Sequence, residues 1–473
     1  MIIQREDHLA GGFGNTELLQ RLESLPTNVD TAVGRVSRRC QQRALSPPLP
    51  YMGSFCKALD YPCDEENPDG FVILCMAENK LVTDILSKRL GADPNIAKVA
   101  FADESLYCYT SSLGLPVARQ AASHFFTKRF LSSNALQDSI VDPKNIGIAS
   151  GAAGAMNSLY FALGDAGDVA LIPRPYYGGY DFDMSIVSQI TPFGFELDAP
   201  TEGPTEADLD RAFNDAQSKG LTPRFLLLNN PNNPLASVYA PEVIRNAVAW
   251  ARNLKLHIIV DEIYALSTHV GHGFQSVVRI LDNDLRDDVH VVWALSKDFG
   301  ASGLRVGFVY SRNETLLQAM SHLNTFSSVS NSTQAMVAEL LTDDTFIDYY
   351  LKESSIRLRQ SYESCVEKLV EMGLPFIPPQ AGIFVYVDFS SILPKKTKEY
   401  EAKLSQLLIE HARVILTPGD SMKDPTPGMF RMCYAWVSPD VLRVGMERLS
   451  RIVTKIRRLD WEDLDETTLS GII

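Results

Sequence analysis

Seven short apolar runs alternate with segments of helical period between residues 145 and 311, and this alternation restricts the possible folds more than any other feature of the sequence. Most of the runs are apolar on both faces of a strand, which is typical of a sheet covered by helices on both sides. The runs are 145–150, 169–173, 189–195, 224–229, 257–262, 289–296 and 305–311. Together with the intervening helices, they predict an open α/β sheet.

The sequence pattern changes on either side of this region. Residues 1–70 are rich in amino acids that break periodic structure and are predicted to form an extended arm. After about residue 342, a long charged helix and a further strand predict a smaller α+β domain, closed by the N-terminal segment folding back. We therefore predict an N-terminal arm with part of the small domain in 1–99, a large domain in 100–345 and a C-terminal small domain in 346–473.

Composition restricts the partners and the compartment. The chain of 473 residues has 44 Lys and Arg against 58 Asp and Glu, a formal net charge of −14 that disfavours nucleic acid and anionic membranes. No run reaches the roughly 18 apolar residues of a membrane span. The seven cysteines are scattered, and no histidine pair has convincing metal-ligand spacing. These features predict a cytoplasmic protein with reduced thiols and no metal.

Polar residues stand at the carboxyl ends of several predicted strands, where open α/β sheets bind ligands. Ser150 closes the first run, Asn233 follows the fourth, Asp261 closes the fifth and Lys297 follows the sixth. Each residue taken alone is more typical of a cap or a solvated side chain. The motifs around these residues make the set informative.

These motifs resemble those of fold-type I pyridoxal-phosphate (PLP) enzymes of the class I/II aminotransferase group, especially the 1-aminocyclopropane-1-carboxylate (ACC) synthase branch. The resemblance rests on the order and spacing of NNPNNPLAS (229–237), VDEIY (260–264) and ALSKDFGASGLRVG (294–307). These motifs are preceded by MAENKL, LGLPVAR, SGAAGAMN and RPYYGGYD and are followed by QAGIFVYVD and PGMFRMCYA. The resemblance covers about residues 70 to 450. It implies the aspartate aminotransferase fold, with a mostly parallel seven-stranded sheet in a large PLP-binding domain and a smaller α+β domain.

The resemblance also implies which residues bind pyridoxal 5'-phosphate. Lys297 would hold the cofactor covalently and then move the substrate's α-proton, tasks that suit a lysine amine. Asp261 would face the pyridine nitrogen and keep it protonated. Asn233 and Tyr264 would donate hydrogen bonds to the phenolate oxygen. Taken alone, Asp261 could instead be a helix N-cap.

The cofactor's phosphate requires hydrogen-bond donors. A turn of small residues containing Ala152 and Ala153 joins a predicted strand to a predicted helix, so its backbone N–H groups can bind an anion. Such a turn alone is weak evidence. The resemblance adds Ser296 and Arg305 as side-chain ligands. Because Ala294 and Ala153 stand where the family often has hydroxyl residues, we expect Arg305 and the main chain to contribute more.

Two tyrosines have implied roles at the cofactor. Tyr177 occupies the position whose ring stacks on the pyridine, and Tyr176 is the alternative. Tyr109 matches the aminotransferase tyrosine that reaches the phosphate of the neighbouring subunit, although the synthase branch more often has its tyrosine at the position of Ser112. Either aromatic could instead pack in the core. The resemblance therefore implies a homodimer with shared active sites.

Three residues are implied to contact a small-molecule α-amino acid substrate. Arg431 would bind the α-carboxylate with two parallel hydrogen bonds, and a surface salt bridge is the alternative. Glu78 would meet the substrate side chain, and a helix N-terminal acid is the alternative. Asn233 would contact the substrate in addition to the cofactor.

The cofactor residues do not identify the reaction, because removal of the Cα proton is common to several outcomes. The segment 181–190 has no arginine, whereas the synthase branch usually carries one there, so use of S-adenosylmethionine is not expected. We predict an ACC synthase-like enzyme, a carbon–sulfur lyase or related elimination enzyme. The alternative is an aminotransferase that uses a 2-oxoacid. A true ACC synthase or a non-catalytic PLP-binding module is less favoured.

Overall fold

The structure, a computed structural model, describes residues 36–37, 40–44, 49, 51–131, 139–270, 273–459, 461, 464, 467–469 and 471–473. Much of the predicted N-terminal arm therefore lies outside the described residues. The strands are β1 (Val72–Ile73), β2 (Ile146–Ser150), β3 (Val169–Pro173), β4 (Thr191–Phe195), β5 (Pro223–Asn229), β6 (His257–Asp261), β7 (Val289–Ala294), β8 (Val306–Ser311), β9 (Phe376–Ile377), β10 (Phe384–Asp388), β11 (Val414–Ile415), β12 (Thr417–Pro418) and β13 (Met429–Cys433).

The α-helices are α1 (Tyr51–Asp60), α2 (Thr83–Ala92), α3 (Pro94–Phe101), α4 (Pro116–Phe126), α5 (Gly151–Leu163), α6 (Gly179–Ile186), α7 (Glu206–Ser218), α8 (Pro241–Asn253), α9 (Val277–Ile280), α10 (Leu295–Asp298), α11 (Glu314–Leu323), α12 (Asn331–Thr342), α13 (Asp344–Glu371), α14 (Lys398–Ala412) and α15 (Pro439–Ile456). Among the described residues, no helix has both the length and the apolar character needed to cross a membrane.

The chain divides into two compact units. The larger unit comprises Glu78–Gln360 and Pro378–Ile383. The smaller unit comprises the chain up to Ala77 together with Ser361–Ile377 and Phe384–Ile473.

The larger unit is built on a seven-stranded sheet with the order β2-β8-β7-β6-β5-β3-β4. β8 runs antiparallel to β2 and β7, and the other neighbouring strands are parallel. Along β6, Ile258 and Val260 belong to one apolar core and Ile259 to another, so the two faces of the sheet are both covered. The seven predicted runs form these seven strands, which confirms the predicted open α/β sheet.

The strand register brings the predicted polar residues to one edge of this sheet. Asn229 at the end of β5 lies opposite Asp261 at the end of β6. Ala294 at the end of β7 lies opposite Gly307, near the start of the antiparallel β8. Ser150 at the end of β2 lies opposite Val306. The turns that follow β2, β5, β6 and β7 therefore begin at the same edge.

The smaller unit contains two small sheets. β1 pairs in parallel with β11, and β12, β13, β10 and β9 form an antiparallel sheet in that order. α14 and α15 pack against each other in this unit. This unit has the predicted α+β character.

The observed division differs from the predicted domain boundaries. The larger unit begins at Glu78 rather than at residue 100, because α2 packs against α3, and α3 packs against α12. Its main segment ends at Gln360 rather than at residue 345, because the first part of α13 packs with the larger unit, to whose apolar core Ile347 and Tyr350 belong. Pro378–Ile383 also belongs to the larger unit, to which its backbone is hydrogen-bonded.

Candidate active site

Asp261, at the end of β6, is a buried carboxylate that is held at both oxygens. Its Oδ2 accepts a hydrogen bond from the Tyr180 hydroxyl at 2.5 Å, and its Oδ1 accepts one from the Ile263 backbone N–H at 3.1 Å. Burial raises the pKa of Asp261 to about 6, while these hydrogen bonds and the charge of Lys297 act in the opposite direction. A desolvated carboxylate of this kind favours a cationic partner.

The loop after β5 is tied to the end of β6. Asn229 accepts a hydrogen bond from the Asn233 backbone N–H at 2.7 Å and donates one to the Asp261 carbonyl at 3.1 Å. Asn233 and Tyr264 are both buried. Because the next α-helix begins only at Val277, Asp261 is not a helix N-cap. Asn229, whose amide joins the two strand ends, was not predicted from the sequence as a site residue.

Lys297 lies half-buried in α10, the short turn that directly follows β7. The next residue, Asp298, fixes this turn through three hydrogen bonds. Its buried carboxylate accepts from Trp293 Nε1 at 2.8 Å, Ser267 Oγ at 2.7 Å and the Leu266 backbone N–H at 3.1 Å. Asp298 was not predicted from the sequence, although its place beside the lysine was a usable signal.

The turn between β2 and α5 has the features of a site for an anion. Helix α5 begins at Gly151, so the N–H groups of its first turn, which include Ala152 and Ala153, have no partner within the helix. Arg305 is exposed, and its Nη2 donates to the Ser150 carbonyl at 3.4 Å. A Cβ on Gly151, whose φ is +70°, would lie 2.5 Å from the same Nη2. The guanidinium and the helix N-terminus together suit a phosphate.

Glu78 lies outside any helix, since α2 begins at Thr83, and so it is not a first-turn acid. Its carboxylate accepts a hydrogen bond from the Ser302 hydroxyl. The Ser302 carbonyl in turn accepts one from Arg305 Nη1 at 3.2 Å. Glu78 is therefore held against the loop that joins Lys297 to Arg305, and sequence reasoning gave no sign of its partner Ser302.

The tyrosines of the RPYYGGYD motif have different environments. Tyr176 is buried, and its hydroxyl donates to Asp181 Oδ1 at 2.8 Å. Tyr177 is 38% exposed, and its ring meets that of Tyr180 edge-on with centroids 5.4 Å apart. Because the ring of Tyr177 is the more accessible, this geometry favours Tyr177 over Tyr176 for stacking on a ligand.

Tyr109 is fully exposed, so it does not pack in the core. Phe326 is also highly exposed, and Ser327 beside it accepts a hydrogen bond from the Ser150 backbone N–H at 2.8 Å. Both exposed rings thus belong to the larger unit. The Phe326 ring lies on the segment that is hydrogen-bonded to Ser150, directly before the α5 turn.

Arg431 lies on β13 in the smaller unit and is 2% exposed. Its Nη2 donates to the Cys75 carbonyl at 2.6 Å and to Thr417 Oγ1 at 3.2 Å, and its guanidinium lies 5.2 Å from the centroid of the Phe384 ring. An arginine so deeply buried does not form a surface salt bridge. The contacts fix the direction of its planar guanidinium.

The residues at the edge of the large sheet fit pyridoxal 5'-phosphate. This edge carries three features that match parts of the cofactor. They are a lysine for the aldehyde, a buried carboxylate for a protonated ring nitrogen, and a helix N-terminus with an arginine for the phosphate. The ring-binding side chains would be Asp261, Asn233, Tyr264 and Tyr177, and the phosphate ligands Ala152, Ala153, Ser296 and Arg305. Ser296 is buried in α10, beside Lys297.

The sequence relatives agree with this chemistry. The family model "Aminotransferase class I and II" matches residues 76–449. The 1-aminocyclopropane-1-carboxylate synthase 8 of Arabidopsis thaliana is 32% identical over 411 residues, covering 83% of this chain and 85% of the relative. The 1-aminocyclopropane-1-carboxylate synthase 1 of Oryza sativa subsp. indica is 32% identical over 409 residues, covering 82% of each chain.

Solved structures show the same fold. An aspartate aminotransferase double mutant from Thermus thermophilus superposes with a TM-score of 0.71 at 22% identity, covering 89% of this chain and all of that one. The aspartate aminotransferase of Thermotoga maritima gives a TM-score of 0.69 at 21% identity with the same coverage. The expected aspartate aminotransferase fold type I is therefore confirmed. From its motifs, its fold and its relatives, the chain belongs to the class I and II aminotransferase family and is a PLP-dependent enzyme.

Proposed function

We propose that this enzyme breaks a carbon–sulfur or comparable bond at Cβ or Cγ of an α-amino acid, in an ACC synthase-like elimination. The observation that carries the proposal is the Glu78 carboxylate, held by Ser302 against the loop between Lys297 and Arg305. A carboxylate at this place repels an acidic substrate side chain and favours a neutral thioether or a cationic group. The names of the two plant relatives support the same class of reaction.

PLP, when bound, supplies an acceptor for the electron pair left when a bond at Cα breaks. In this proposal, Asp261 holds the proton on the ring nitrogen, and Asn233 and Tyr264 donate hydrogen bonds to the phenolate oxygen. Tyr177 covers one face of the ring. The phosphate is bound by the first-turn N–H groups of α5, by Ser296 and by Arg305.

The substrate is oriented and deprotonated by four side chains in this proposal. Arg431 binds the α-carboxylate through two parallel hydrogen bonds, and Asn233 contacts the bound amino acid. Lys297 removes the Cα proton. Glu78, as a carboxylate, contacts the side chain and selects against acidic groups. Only the last contact distinguishes elimination from reactions that share the first steps.

Cyclopropane formation from S-adenosylmethionine ranks below this reaction. The segment 181–190, which follows the PYYGG motif, contains no arginine, whereas the synthase branch usually carries one there. A PLP-binding module without catalysis ranks lower still, because Lys297 is present and its charge acts on Asp261.

Transfer of the amino group to a 2-oxoacid is the second candidate. Tyr109 favours it, because this exposed residue stands where aminotransferases have the tyrosine that reaches the neighbouring subunit. Its exposure also supports a homodimer with shared active sites. A cytoplasmic location agrees with the seven free thiols.

A product assay separates the two candidates. The enzyme is incubated with PLP and a panel of thioether and ordinary amino acids, with and without a 2-oxoacid, and the products are identified by mass. Elimination from a thioether amino acid consumes one water and gives a thiol, ammonia and a 2-oxoacid without added acceptor, whereas transamination gives a new amino acid only when a 2-oxoacid is added. Lys297→Ala is the control. Products only with an added 2-oxoacid would overturn the proposal.

A further inference from the structure

Tyr180 contacts the carboxylate that the proposed function assigns to the cofactor ring. It is the second residue of α6 and is 2% exposed. Its hydroxyl donates to Asp261 Oδ2 at 2.5 Å, while the Ile263 N–H donates to Oδ1 at 3.1 Å. One donor on each oxygen leaves the carboxylate little freedom to rotate. No role for Tyr180 was predicted from the sequence.

Neighbouring rings fix the position of the Tyr180 hydroxyl. The Tyr176 ring is stacked at a centroid distance of 6.4 Å and an angle of 25°. The Tyr177 ring meets it edge-on at 5.4 Å and 86°. Side chains packed in this way hold the hydroxyl in place without further ordering when a ligand binds.

Burial opposes the ionised form of Asp261. Burial raises the pKa of Asp183 to about 7 and that of Glu262 to about 8, and Asp261 adds to both shifts. Lys297 is the cation whose charge favours ionised Asp261, and the Tyr180 hydrogen bond acts in the same direction. Among the described residues, the titratable groups that interact with Asp261 or Tyr180 include Tyr160 on α5, Asp183 on α6, Glu262 and Tyr264 after β6, and Lys297 on α10.

We propose that Tyr180 is a positioning residue that fixes the direction of the Asp261 carboxylate and keeps it ionised, and that it thereby sets the lower pH limit of cofactor binding. The inference rests on the proposed role of Asp261 toward the ring nitrogen. A carboxylate that is protonated in the apoenzyme must lose its proton before it can pair with a cationic ring. Tyr180 reduces this cost by stabilising the charged form.

Tyr180→Phe removes the donor and keeps the ring. Tyr160→Phe is a matched control, because Tyr160 is a buried neighbour on α5 whose hydroxyl has no hydrogen-bond partner among the described residues. The measurement is the dissociation constant of PLP from each apoenzyme between pH 5.5 and 8.5. In Tyr180→Phe, we expect the low-pH loss of affinity to move upward by about one pH unit, so that binding near pH 6 weakens about fivefold more than at pH 8. Tyr160→Phe should follow the wild type.

A second ligand separates positioning from general packing. The 1-deaza analogue of PLP, in which carbon replaces the ring nitrogen, cannot use Asp261 in this way. Tyr180→Phe should therefore weaken PLP but leave the affinity of the analogue unchanged. Equal weakening of both ligands at every pH, or no change, would overturn the inference. Asp261→Asn tests the proposed role of Asp261, on which the inference rests. If Asp261→Asn binds PLP like the wild type, that role fails. If Asp261→Asn binds PLP more weakly but Tyr180→Phe binds it like the wild type, only the role of Tyr180 is refuted.

Discussion

Two glycines at the start of α5 differ in the space around them. Gly151 has a φ of +70°, and a Cβ there would lie 2.5 Å from Arg305 Nη2, whereas the nearest atom to a Cβ on Gly154 would be 3.6 Å away. We expect Gly151→Ala to displace the guanidinium and to weaken PLP binding by about 1–3 kcal/mol. Gly154→Ala should keep the affinity and raise helix stability by up to about 1 kcal/mol. Titration of the apoenzymes and thermal unfolding check both, and wild-type affinity in Gly151→Ala would contradict the argument.

Arg431→Lys should weaken binding of every α-amino acid to a similar degree. Lysine keeps the charge but loses the planar fork, and a loss of about 2 kcal/mol is typical when a charge-assisted pair in a desolvated site loses its geometry. The affinity for PLP and its absorbance should not change. The measurement is the spectral change on titrating holoenzyme with several amino acids. Titrations that match the wild type would show that another group binds the carboxylate.

Glu78→Gln should change the order of preference among substrate side chains, in contrast to Arg431→Lys. The amide keeps the size of the side chain and an acceptor for Ser302 but removes the negative charge, so acidic side chains should lose a repulsive contact. Competition between a thioether and an acidic amino acid measures the shift. A uniform loss for all amino acids would mean that Glu78 supports the loop and does not contact the side chain.

The residues that form the site were predictable from sequence to different degrees. Asp261, Lys297 and Arg305 stand in motifs at fixed distances from strand ends, and parallel pairing places those ends at one edge. Tyr180 was not predictable in this way, because its partner Asp261 is 81 residues away and no local pattern joins a helix side chain to a distant carboxylate. Ser302 likewise meets Glu78 across 224 residues.

At the scale of elements, α10 depends on one buried carboxylate. Asp298 accepts three hydrogen bonds from β7 and from the turn after β6, so we expect Asp298→Asn to lower the free energy of unfolding by about 2–4 kcal/mol. The exposed Asp215, paired with Lys219, provides a control, and Asp215→Asn should cost less than about 1 kcal/mol. Denaturant unfolding of the apoenzymes measures both. Equal small losses would show that the network does not hold the turn.

The effect of Asp298→Asn should also depend on pH. Burial raises the pKa of Asp298 to about 7, above its value in the unfolded chain. The folded form therefore binds the proton more tightly, and this contribution to stability is complete below about pH 4 and is lost as the pH rises through 7. Because the variant lacks this titration, the difference in the free energy of unfolding between the wild type and Asp298→Asn should be larger at pH 5.5 than at pH 8. A deficit that grows with pH would contradict the direction of the pKa shift.

Elements were easier to predict than their limits. Each run of the large sheet was recognisable because strands buried on both faces are apolar throughout. The limits of α2 were less clear, because Val82 at its N-cap gives no side-chain hydrogen bond. The predicted domain boundaries depended on changes of pattern along the chain, whereas the observed units depend on which helices pack together. α3 and α12 are a pair of this kind.

At the scale of the whole molecule, the exposed aromatic rings of the larger unit support the proposed homodimer. Tyr107, Tyr109 and Phe326 are 69%, 106% and 91% exposed. Asn331, the first residue of α12, follows Phe326 by five residues. Its Nδ2 donates to the Cys108 carbonyl at 2.9 Å and so links this part of the chain to the segment that carries Tyr107 and Tyr109. Aromatic groups exposed together are typical of an interface. In a symmetric dimer, the same surface meets its copy.

If the two active sites are shared, two defective chains can repair each other. A Lys297→Ala chain keeps Tyr109, and a Tyr109→Phe chain keeps Lys297, so one of the two sites in a mixed dimer has both residues intact. With random exchange, half of the dimers are mixed, and activity should approach about a quarter of the wild type, above the average of the separate variants. Sedimentation gives the oligomeric state before and after mixing, and Lys297→Ala mixed with the double variant is the control. A fully active monomer would refute the dimer. A dimer whose mixture gains no activity over that average would show instead that Tyr109 serves its own subunit, because exchange would have formed the repaired site.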